Sequence, residues 1–209
     1  LLIGGGTNLS NTALASVDVI NTQTDLVSAD FFGSRVGKSE LSATTLNNKI
    51  YFSQDRESDK IDVYDASVTP NPWTISTAYE SNPCVYSNSF EGKLYFVGYS
   101  SILTLDPVTG ATSSIGFPSE ISGIRDAAIV MANNFILIGG GDVSNVSGTT
   151  TTSNKLYIYD IKRAIWLNPV QLSAARSYLA AAVIDNKVFF AGGSNGSTFY
   201  KNVDVFTLN

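Results

Sequence analysis

The sequence predicts an all-β fold built from repeated antiparallel units, and three observations support this prediction. Apolar runs recur at intervals of 44, 41 and 53 residues, measured between Lys49, Lys93, Asn134 and Lys187. Each run is followed by a second run in which apolar and polar residues alternate, and three of the first runs end in consecutive glycines. Alternation with β-branched and aromatic residues is typical of strands with one buried face. Intervals of about 40 to 50 residues indicate the four-stranded blades of a β-propeller.

The repeat can be followed element by element. The predicted first strands are Leu1-Leu2-Ile3, Lys49-Ile50-Tyr51-Phe52, Lys93-Leu94-Tyr95-Phe96-Val97, Phe135-Ile136-Leu137-Ile138 and Lys187-Val188-Phe189-Phe190-Ala191. The predicted second strands are Val17-Asp18-Val19-Ile20, Ile61-Asp62-Val63-Tyr64-Asp65, Ile102-Leu103-Thr104-Leu105-Asp106, Leu156-Tyr157-Ile158-Tyr159-Asp160 and Val203-Asp204-Val205-Phe206. Three of these second strands end in an aspartate, a residue that favours the start of a turn.

The remaining parts of the repeat are a tryptophan, a strand of small residues and a polar turn. Trp73 and Trp166 follow two of the second strands and are interpreted as packing residues rather than as a ligand cage. Ala180-Ala181-Ala182-Val183-Ile184 is the clearest small-residue strand, and the pair Asp185-Asn186 forms the turn after it. The longest repeat contains a Ser/Thr-rich insertion from Val143 to Ser153.

This order of elements resembles the kelch repeat. The best match runs from Gly139-Gly140 through Tyr159-Asp160, Trp166 and Arg176 to Gly192-Gly193. The resemblance implies a kelch-type β-propeller in which the glycines allow close approach of backbones at the narrow end of the blades. Two repeats lack the double glycine and carry Ser53-Gln54-Asp55 and Val97-Gly98-Tyr99 in its place, so those blades are expected to be irregular there.

The chain is predicted to be a single partial propeller domain over residues 1–209. Its repeats cover approximately 1–48, 49–92, 93–133, 134–186 and 187–209, which amounts to about four and a half blades. Kelch propellers usually have six or seven blades, so we expect further blades on the same chain or on a second chain. The chain opens on Leu1 without an initiator Met, and we therefore expect a mature or excised fragment.

Composition excludes several functions. The chain has a net charge of −5 and no basic cluster, which argues against nucleic-acid binding. No run approaches the roughly 18 to 20 apolar residues of a membrane span. With no histidine and a single cysteine, Cys84, the chain lacks the usual catalytic triads, a disulfide and the usual zinc or copper ligands. We therefore expect no cofactor, no metal and no enzymatic activity.

The resemblance to kelch adaptors implies two sets of ligand-facing positions. The positions just after the double glycine are Arg56, Ser100, Asp142 and Ser194. The positions nine residues before the next first strand are Glu40, Cys84, Arg125 and Tyr178. The alternative interpretation of Arg56 and Arg125 is a solvated surface charge, and that of Cys84 is a small buried hydrophobe.

Three N-glycosylation motifs fall in the loops after the glycines, at Asn8, Asn145 and Asn195. Loops rich in Asn, Ser and Thr also produce such triplets by accident. If they are used, the motifs predict an extracellular or cell-surface protein, and a cytoplasmic location is the alternative.

The predicted function is a non-catalytic binding or assembly module that recognises a protein or glycan partner through propeller loops. One alternative is an intracellular kelch substrate adaptor. Another is the part without metal of a copper enzyme resembling galactose oxidase. A sialidase-type propeller is disfavoured because the chain has no Ser-x-Asp-x-Gly signature.

Overall fold

The structure is a computed structural model that describes residues 1–53, 60–70, 72–77 and 84–208. The chain forms two compact units, Leu1–Ile115 and Gly116–Asn209. All regular elements among the described residues are β-strands, and every pair of neighbouring strands is antiparallel. This part of the chain therefore contains no helix with the length and apolar character that a bilayer crossing requires.

The first unit contains three sheets, whose strands follow one another in sequence order. The first sheet contains β1 (Leu2–Gly4), β2 (Ser16–Asn21) and β3 (Leu26–Phe31). The second contains β4 (Ala43–Leu46), β5 (Lys49–Phe52), β6 (Lys60–Asp65) and β7 (Trp73–Thr77). The third contains β8 (Cys84–Phe90), β9 (Lys93–Gly98), β10 (Ser101–Leu105) and β11 (Thr112–Gly116).

The second unit also contains three sheets. The fourth sheet contains β13 (Ala128–Ala132), β14 (Phe135–Gly139), β17 (Lys155–Asp160), β18 (Ile165–Trp166) and β19 (Val170–Gln171), with β18 and β19 both paired to β17. The fifth contains β20 (Ala180–Ile184), β21 (Lys187–Ala191) and β22 (Val203–Thr207). A small additional sheet contains β12 (Ile121–Arg125), β15 (Asp142–Asn145) and β16 (Thr150–Thr152).

The grouping of strands into sheets is offset by one strand from the sequence repeats. The small-residue strand β20 closes the repeat 134–186, yet it pairs with β21 of the following repeat, with Ile184 opposite Lys187. A two-residue polar turn joins the two strands, and such a turn makes sequence neighbours into hairpin partners. The final sheet therefore has three strands, β20, β21 and β22, the first of which comes from the preceding repeat.

The Ser/Thr-rich insertion is an ordered hairpin rather than an irregular loop. Its strands β15 and β16 pair with Asp142 opposite Thr152, and β15 also pairs with β12. Threonine favours extended backbone because its Cβ is branched, which explains why Thr150–Thr152 forms a strand. The strand content of the insertion was not predicted from the sequence.

Aspartates end the second strands as the sequence predicts. Oδ1 of Asp106 accepts hydrogen bonds from the backbone N–H groups of Val108 and Thr109, at 2.9 and 3.2 Å. Oδ1 of Asp65 accepts from the backbone N–H of Ser67 at 3.0 Å. The hydrogen bond from the Ser67 hydroxyl, followed by that from the Ser67 N–H, lowers the pKa of Asp65. The N–H groups of Val108 and Thr109 lower the pKa of Asp106 in the same way, because each bond favours the charged carboxylate. The predicted Asx turns at these strand ends are confirmed.

The tryptophans pack against other aromatic rings. Trp73 lies 6.1 Å from Phe32, 5.9 Å from Phe52 and 5.1 Å from Tyr64, measured between ring centroids. Phe32 follows the first sheet and the other rings belong to the second, so Trp73 joins two sheets of the first unit. Trp166 packs in the same manner on Tyr159 in the second unit. The predicted packing role of both tryptophans is confirmed.

The two repeats without a double glycine differ in structure at the position where the glycines stand in the other repeats. Ser53 is fully buried, and its hydroxyl accepts a hydrogen bond from the N–H of Ser42 and donates one to the carbonyl of Cys84, at 2.9 and 3.2 Å. Opposite Gly98 the register of β8 shifts between Cys84 and Tyr86. The predicted irregularity of the third sheet is thus confirmed as a bulge.

The double glycine of the fourth sheet is required by a close approach of two backbones. Gly140 has φ of 65°, and a Cβ there would collide with the carbonyl oxygen of Arg176. Gly141 has φ of 85° and donates its N–H to the same carbonyl at 2.9 Å. Glycine satisfies both demands because it has no Cβ and adopts positive φ without strain.

We expect Gly140→Ala to lower the free energy of unfolding by about 3 kcal/mol, because it combines left-handed strain with a backbone collision. Gly148→Ala is the matched control: Gly148 has φ of 86° but no atom lies within 4 Å of its Cβ position. It should cost only about 1 kcal/mol. Urea denaturation followed by circular dichroism measures both, and equal costs would contradict the close-approach explanation.

Candidate functional site

The candidate site lies at what we call the glycine end of the sheets, which is the end where the glycines follow β1, β14 and β21. Two buried cations, Lys38 and Arg176, lie beneath the surface at this end in the first and second units. Each stands 11 residues before a first strand, Lys38 before Lys49 and Arg176 before Lys187. The sequence comparison with kelch repeats singled out Arg176 but missed Lys38.

In the first unit, Lys38 joins the first two sheets. Its Nζ lies 3.3 Å from Oδ2 of Asp62, and both side chains are fully buried. The same Nζ donates to the carbonyl of Ser53 at 2.9 Å. The backbone carbonyl of Lys38 accepts a hydrogen bond from the N–H of Gly6 at 2.8 Å. The two bonds of Nζ are charge-assisted and buried, and together with the backbone bond from Gly6 they fix the path of the chain that leads to Glu40.

In the second unit, Arg176 repeats this arrangement. Its Nη2 lies 2.7 Å from Oδ2 of Asp204 and donates to the carbonyl of Phe190 at 3.2 Å. Its own carbonyl accepts the N–H of Gly141 at 2.9 Å. The segment that carries Tyr178 therefore starts from a buried, charged anchor.

The structure brings the predicted positions of the second unit together. Arg125 is the register partner of Asp142 in the pair of β12 and β15. The N–H of Tyr178 donates to the carbonyl of Asp126 at 2.8 Å. Ser177 and Ser194 exchange two backbone hydrogen bonds of 2.8 and 2.9 Å, which places Ser194 beside the Tyr178 segment.

Two further residues belong to this group and were not predicted. Asp126 is exposed and adopts φ of 54°, which aspartate tolerates better than most residues. Phe199 is 92% exposed and forms a bridge with Ser194, on the side of Ser194 away from Ser177. The position of Phe199 in a polar loop gave no periodic signal, and only the local hairpin shows where it lies.

Tyr178 is the most unusual residue of the group. Its ring is 68% exposed and its backbone has φ of 57°. The negative charge of Asp126 raises the pKa of Tyr178, and the hydrogen bond to that carboxylate adds to the effect, followed by desolvation and the charge of Asp142. The Tyr178 hydroxyl therefore stays protonated to a higher pH than that of a free tyrosine.

The glycine end of the first unit has fewer exposed groups. The hydroxyl of Tyr99 donates to Oε2 of Glu40 at 3.1 Å, which places Glu40 at a half-buried position. Ser100 is exposed. Cys84 is 1% exposed and is a core residue, so the inclusion of Cys84 among the ligand-facing positions was wrong. Arg56 lies outside the described residues.

In all three glycosylation motifs the asparagine side chain caps its own loop, and two of the loops share one geometry. Oδ1 of Asn8 accepts from the N–H groups of Ser10 and Thr12, both at 3.0 Å. Oδ1 of Asn145 accepts from the corresponding pair, Ser147 and Thr149, at 3.1 and 2.9 Å. Asn195 caps a tighter loop, in which Oδ1 accepts from the N–H groups of Ser197 and Thr198 at 3.2 and 2.9 Å. The asparagines are exposed, but Asn145 is the last residue of β15, so the expectation that all three lie outside strands was wrong.

The described residues contain no group of three or more Cys, Asp or Glu side chains that could hold a metal ion. Asp126 and Asp142 act on Tyr178 without a third acid beside them. The chemistry that this arrangement supports is hydrogen bonding and aromatic contact.

Comparison with known proteins finds partial sequence matches to kelch-like proteins. No family model matches the chain. Kelch-like protein 15 from Gallus gallus is 32% identical over 78 residues, which make up 37% of this chain and 16% of that protein. Kelch-like protein 24a from Danio rerio is 27% identical over 100 residues, 48% of this chain and 15% of that protein. The chain thus spans about a sixth of the length of the curated relatives it matches.

A solved structure covers nearly all of the chain. The match to the structure of YjhT covers 99% of this chain and 78% of the YjhT chain, with a TM-score of 0.69 and 12% sequence identity. The chain is a kelch-type β-propeller. At this identity the likeness to YjhT shows the fold alone. The glycines, aspartates and tryptophans of the sequence predict the same fold.

We expect the pKa of Tyr178 in this kelch propeller to fall toward its ordinary value of about 10 in Asp126→Asn. Asparagine keeps the positive φ but removes the charge. Since the folded-state pKa is raised, the contact stabilises the fold below the ordinary tyrosine pKa, and that contribution is lost as pH rises through the folded pKa.

Carbon-13 NMR of labelled tyrosine measures the titration, with Tyr178→Phe identifying the signal among the ten tyrosines. Asp142→Asn is the control and should lower the pKa less, because Asp142 is the smallest of the contributing causes. An unchanged titration in Asp126→Asn would show that the carboxylate does not hold the hydroxyl.

Proposed function

We propose that the chain is a non-catalytic binding module that recognises a protein partner through the glycine end of its second unit. The observation that carries this proposal is the pair of exposed aromatic side chains, Tyr178 and Phe199, on the segments that flank Ser194. Exposed aromatic residues supply much of the free energy of protein association, because they bury a large area and lose few rotamers.

The backbone of this site supports the same proposal. Tyrosine at φ of 57° is strained, and such strain persists where the surrounding structure enforces it. Here the carbonyl of Asp126 and the buried Arg176 hold the segment. A segment that is already ordered loses less entropy on binding, so the position of Tyr178 is set before a partner binds.

The charges around the aromatic pair indicate what kind of partner fits. Asp126 and Asp142 both act on Tyr178, and the chain as a whole carries a net charge of −5. A partner surface with basic side chains complements these carboxylates and is attracted at long range. The chain also has no histidine, which removes the most frequent general acid–base group and supports a role without catalysis.

We also propose a secreted or cell-surface setting, which the exposed glycosylation motifs support. The Nδ2 atoms of Asn8 and Asn145 donate to no described residue, so both amides are accessible for attachment of a glycan. The capping bonds use Oδ1, so they do not block attachment of a glycan at Nδ2.

The binding proposal is tested with random peptides displayed on phage and selected on the immobilised full chain. We expect the selected peptides to be rich in basic residues. The double variant Tyr178→Ala/Phe199→Ala should weaken their binding about 30-fold, the typical cost of losing an aromatic hot spot. Affinities are measured by surface plasmon resonance.

Ile184→Ala is the matched control for this experiment. Ile184 is 62% exposed but lies at the opposite end of the fifth sheet, beside the Asp185-Asn186 turn. Peptides that bind the double variant as tightly as the unmodified chain would contradict the proposed surface. A parallel panel of immobilised glycans tests the other partner class: glycan binding that the double variant abolishes would assign the same surface to glycans.

The secretory setting is tested by the intact mass of the protein from its natural source, before and after enzymatic removal of N-glycans. We expect the mass to fall on treatment. Ser10→Ala and Ser147→Ala should each remove part of this change in mass, because they remove the motif but keep the backbone N–H groups that Asn8 and Asn145 cap. A mass that is unchanged by the enzyme would contradict the secretory proposal and favour the cytoplasm.

A further inference from the structure

The first unit contains a cavity that shares no residue with the proposed binding surface. It has a volume of about 330 Å³ and lies between the outer strands of the first two sheets, β3 and β7. Volumes from about 300 Å³ upward are typical of small-ligand sites. Its lining residues are Phe31, Phe32, Gly33, Arg35, Trp73, Thr74 and Ile75.

Apolar and aromatic side chains form part of the cavity wall, together with polar groups. Phe31 and Ile75 are each 47% exposed, and Trp73 forms the wall between the two sheets. Trp73 is held in place because its Nε1 donates to Oδ2 of Asp30 at 2.8 Å. An apolar group of a ligand would cover Phe31 and Ile75, which the fold leaves in contact with water.

One charged group, Arg35, belongs to the lining. Its guanidinium lies 4.9 Å from the centroid of the Phe31 ring, and no described carboxylate pairs with it. Two acids beside the lining residues already have partners: Asp30 accepts from Trp73 and from the N–H of Phe31, and Asp62 pairs with Lys38 and Ser34. The guanidinium therefore keeps its donors for an anion.

The backbone at Arg35 is also unusual. Arg35 has φ of 58°, and its N–H closes a turn onto the carbonyl of Phe32 at 2.9 Å. Glycine would adopt this conformation without strain, whereas arginine is disfavoured there. The turn positions the arginine at the rim of an aromatic cavity, and strain of this kind is concentrated at ligand sites.

We propose that this cavity binds a hydrophobic carboxylate, with the apolar group between Phe31, Trp73 and Ile75 and the carboxylate on the guanidinium of Arg35. A planar guanidinium that already stacks on a ring offers two parallel N–H donors to a carboxylate. The same chemistry occurs in a free organic acid and in the C-terminal residue of a polypeptide. This site is independent of the glycine end of the second unit.

The test uses nitrogen-15 NMR of the full chain, which has two tryptophans. The probes are 3-phenylpropionate and its neutral amide, 3-phenylpropionamide. We expect the acid to shift the indole N–H signal of Trp73 in a saturable manner and to bind at least tenfold more tightly than the amide. The signal of Trp166, in the second unit, should not move.

Two variants complete the test. Arg35→Gln should reduce the affinity of the acid to that of the amide and leave the amide unaffected, whereas Arg163→Gln, at an exposed arginine of the second unit, should change neither.

A short peptide that ends in phenylalanine, with a free or an amidated C-terminus, distinguishes the sources. Tighter binding of the free-acid peptide than of 3-phenylpropionate assigns the site to polypeptide termini, and weaker binding assigns it to free acids. Equal affinity of acid and amide, or no shift at Trp73, would overturn the proposal.

Discussion

A buried cation paired with an aspartate is the interaction on which the glycine ends of these sheets depend. Burial of the Lys38 ammonium away from water costs free energy. The carboxylate of Asp62 and the carbonyls of Ser53 and Lys60 offset that cost by pairing with the charge. Removal of one partner from such a pair costs about 3 to 5 kcal/mol, because the other charge is left unpaired. Since the backbone carbonyls of Lys38 and Arg176 also bind the glycines of the preceding sheet, each cation connects its own sheet to its neighbour. Glu40 and Tyr178 stand two residues after these cations, so the anchor inside the fold determines where the candidate binding residues lie.

The repeats do not all use this ion pair. Leu103 stands in the third sheet at the position of Asp62 and is 3% exposed, within a cluster of buried apolar residues. Tyr157 occupies the position in the fourth sheet, where burial raises the pKa of its hydroxyl. A well-packed apolar group is often as stable as a buried ion pair, so one scaffold tolerates both solutions. The ion pair differs in that it also fixes the direction of a loop.

Local patterns predicted the strands well and their partners less well. The bounds of Lys49–Phe52, Ala180–Ile184 and Lys187–Ala191 agree with the sequence prediction, because alternation and strand-end turns are local properties. The aspartate turns and the packing of the tryptophans were also predicted. The hairpin of β15 and β16 was not, since a run of Ser and Thr resembles a loop until a neighbour such as β12 supplies the hydrogen bonds. The same limit applies to part of the candidate site: Asp126 acquires its role through the distant Tyr178 segment and Phe199 through a local hairpin, and neither follows the repeat. Lys38, by contrast, stands 11 residues before a first strand as Arg176 does, so that spacing could have identified it.

The asparagines of the three loops show how one residue serves a fold and a modification motif together. Asn8-Leu9-Ser10-Asn11-Thr12 and Asn145-Val146-Ser147-Gly148-Thr149 share the same hairpin, with positive φ at Asn11 and Gly148. Asparagine suits the first position because Oδ1 caps two N–H groups, and serine suits the third because it favours the turn, so the fold alone accounts for the repeated motif. The acceptor of a glycan is Nδ2, which the cap does not use. At Asn195 this atom donates to the hydroxyl of Tyr200 at 2.9 Å, and modification there would displace that bond. The loop chemistry therefore favours Asn8 and Asn145 over Asn195 as attachment sites, although all three carry the same motif.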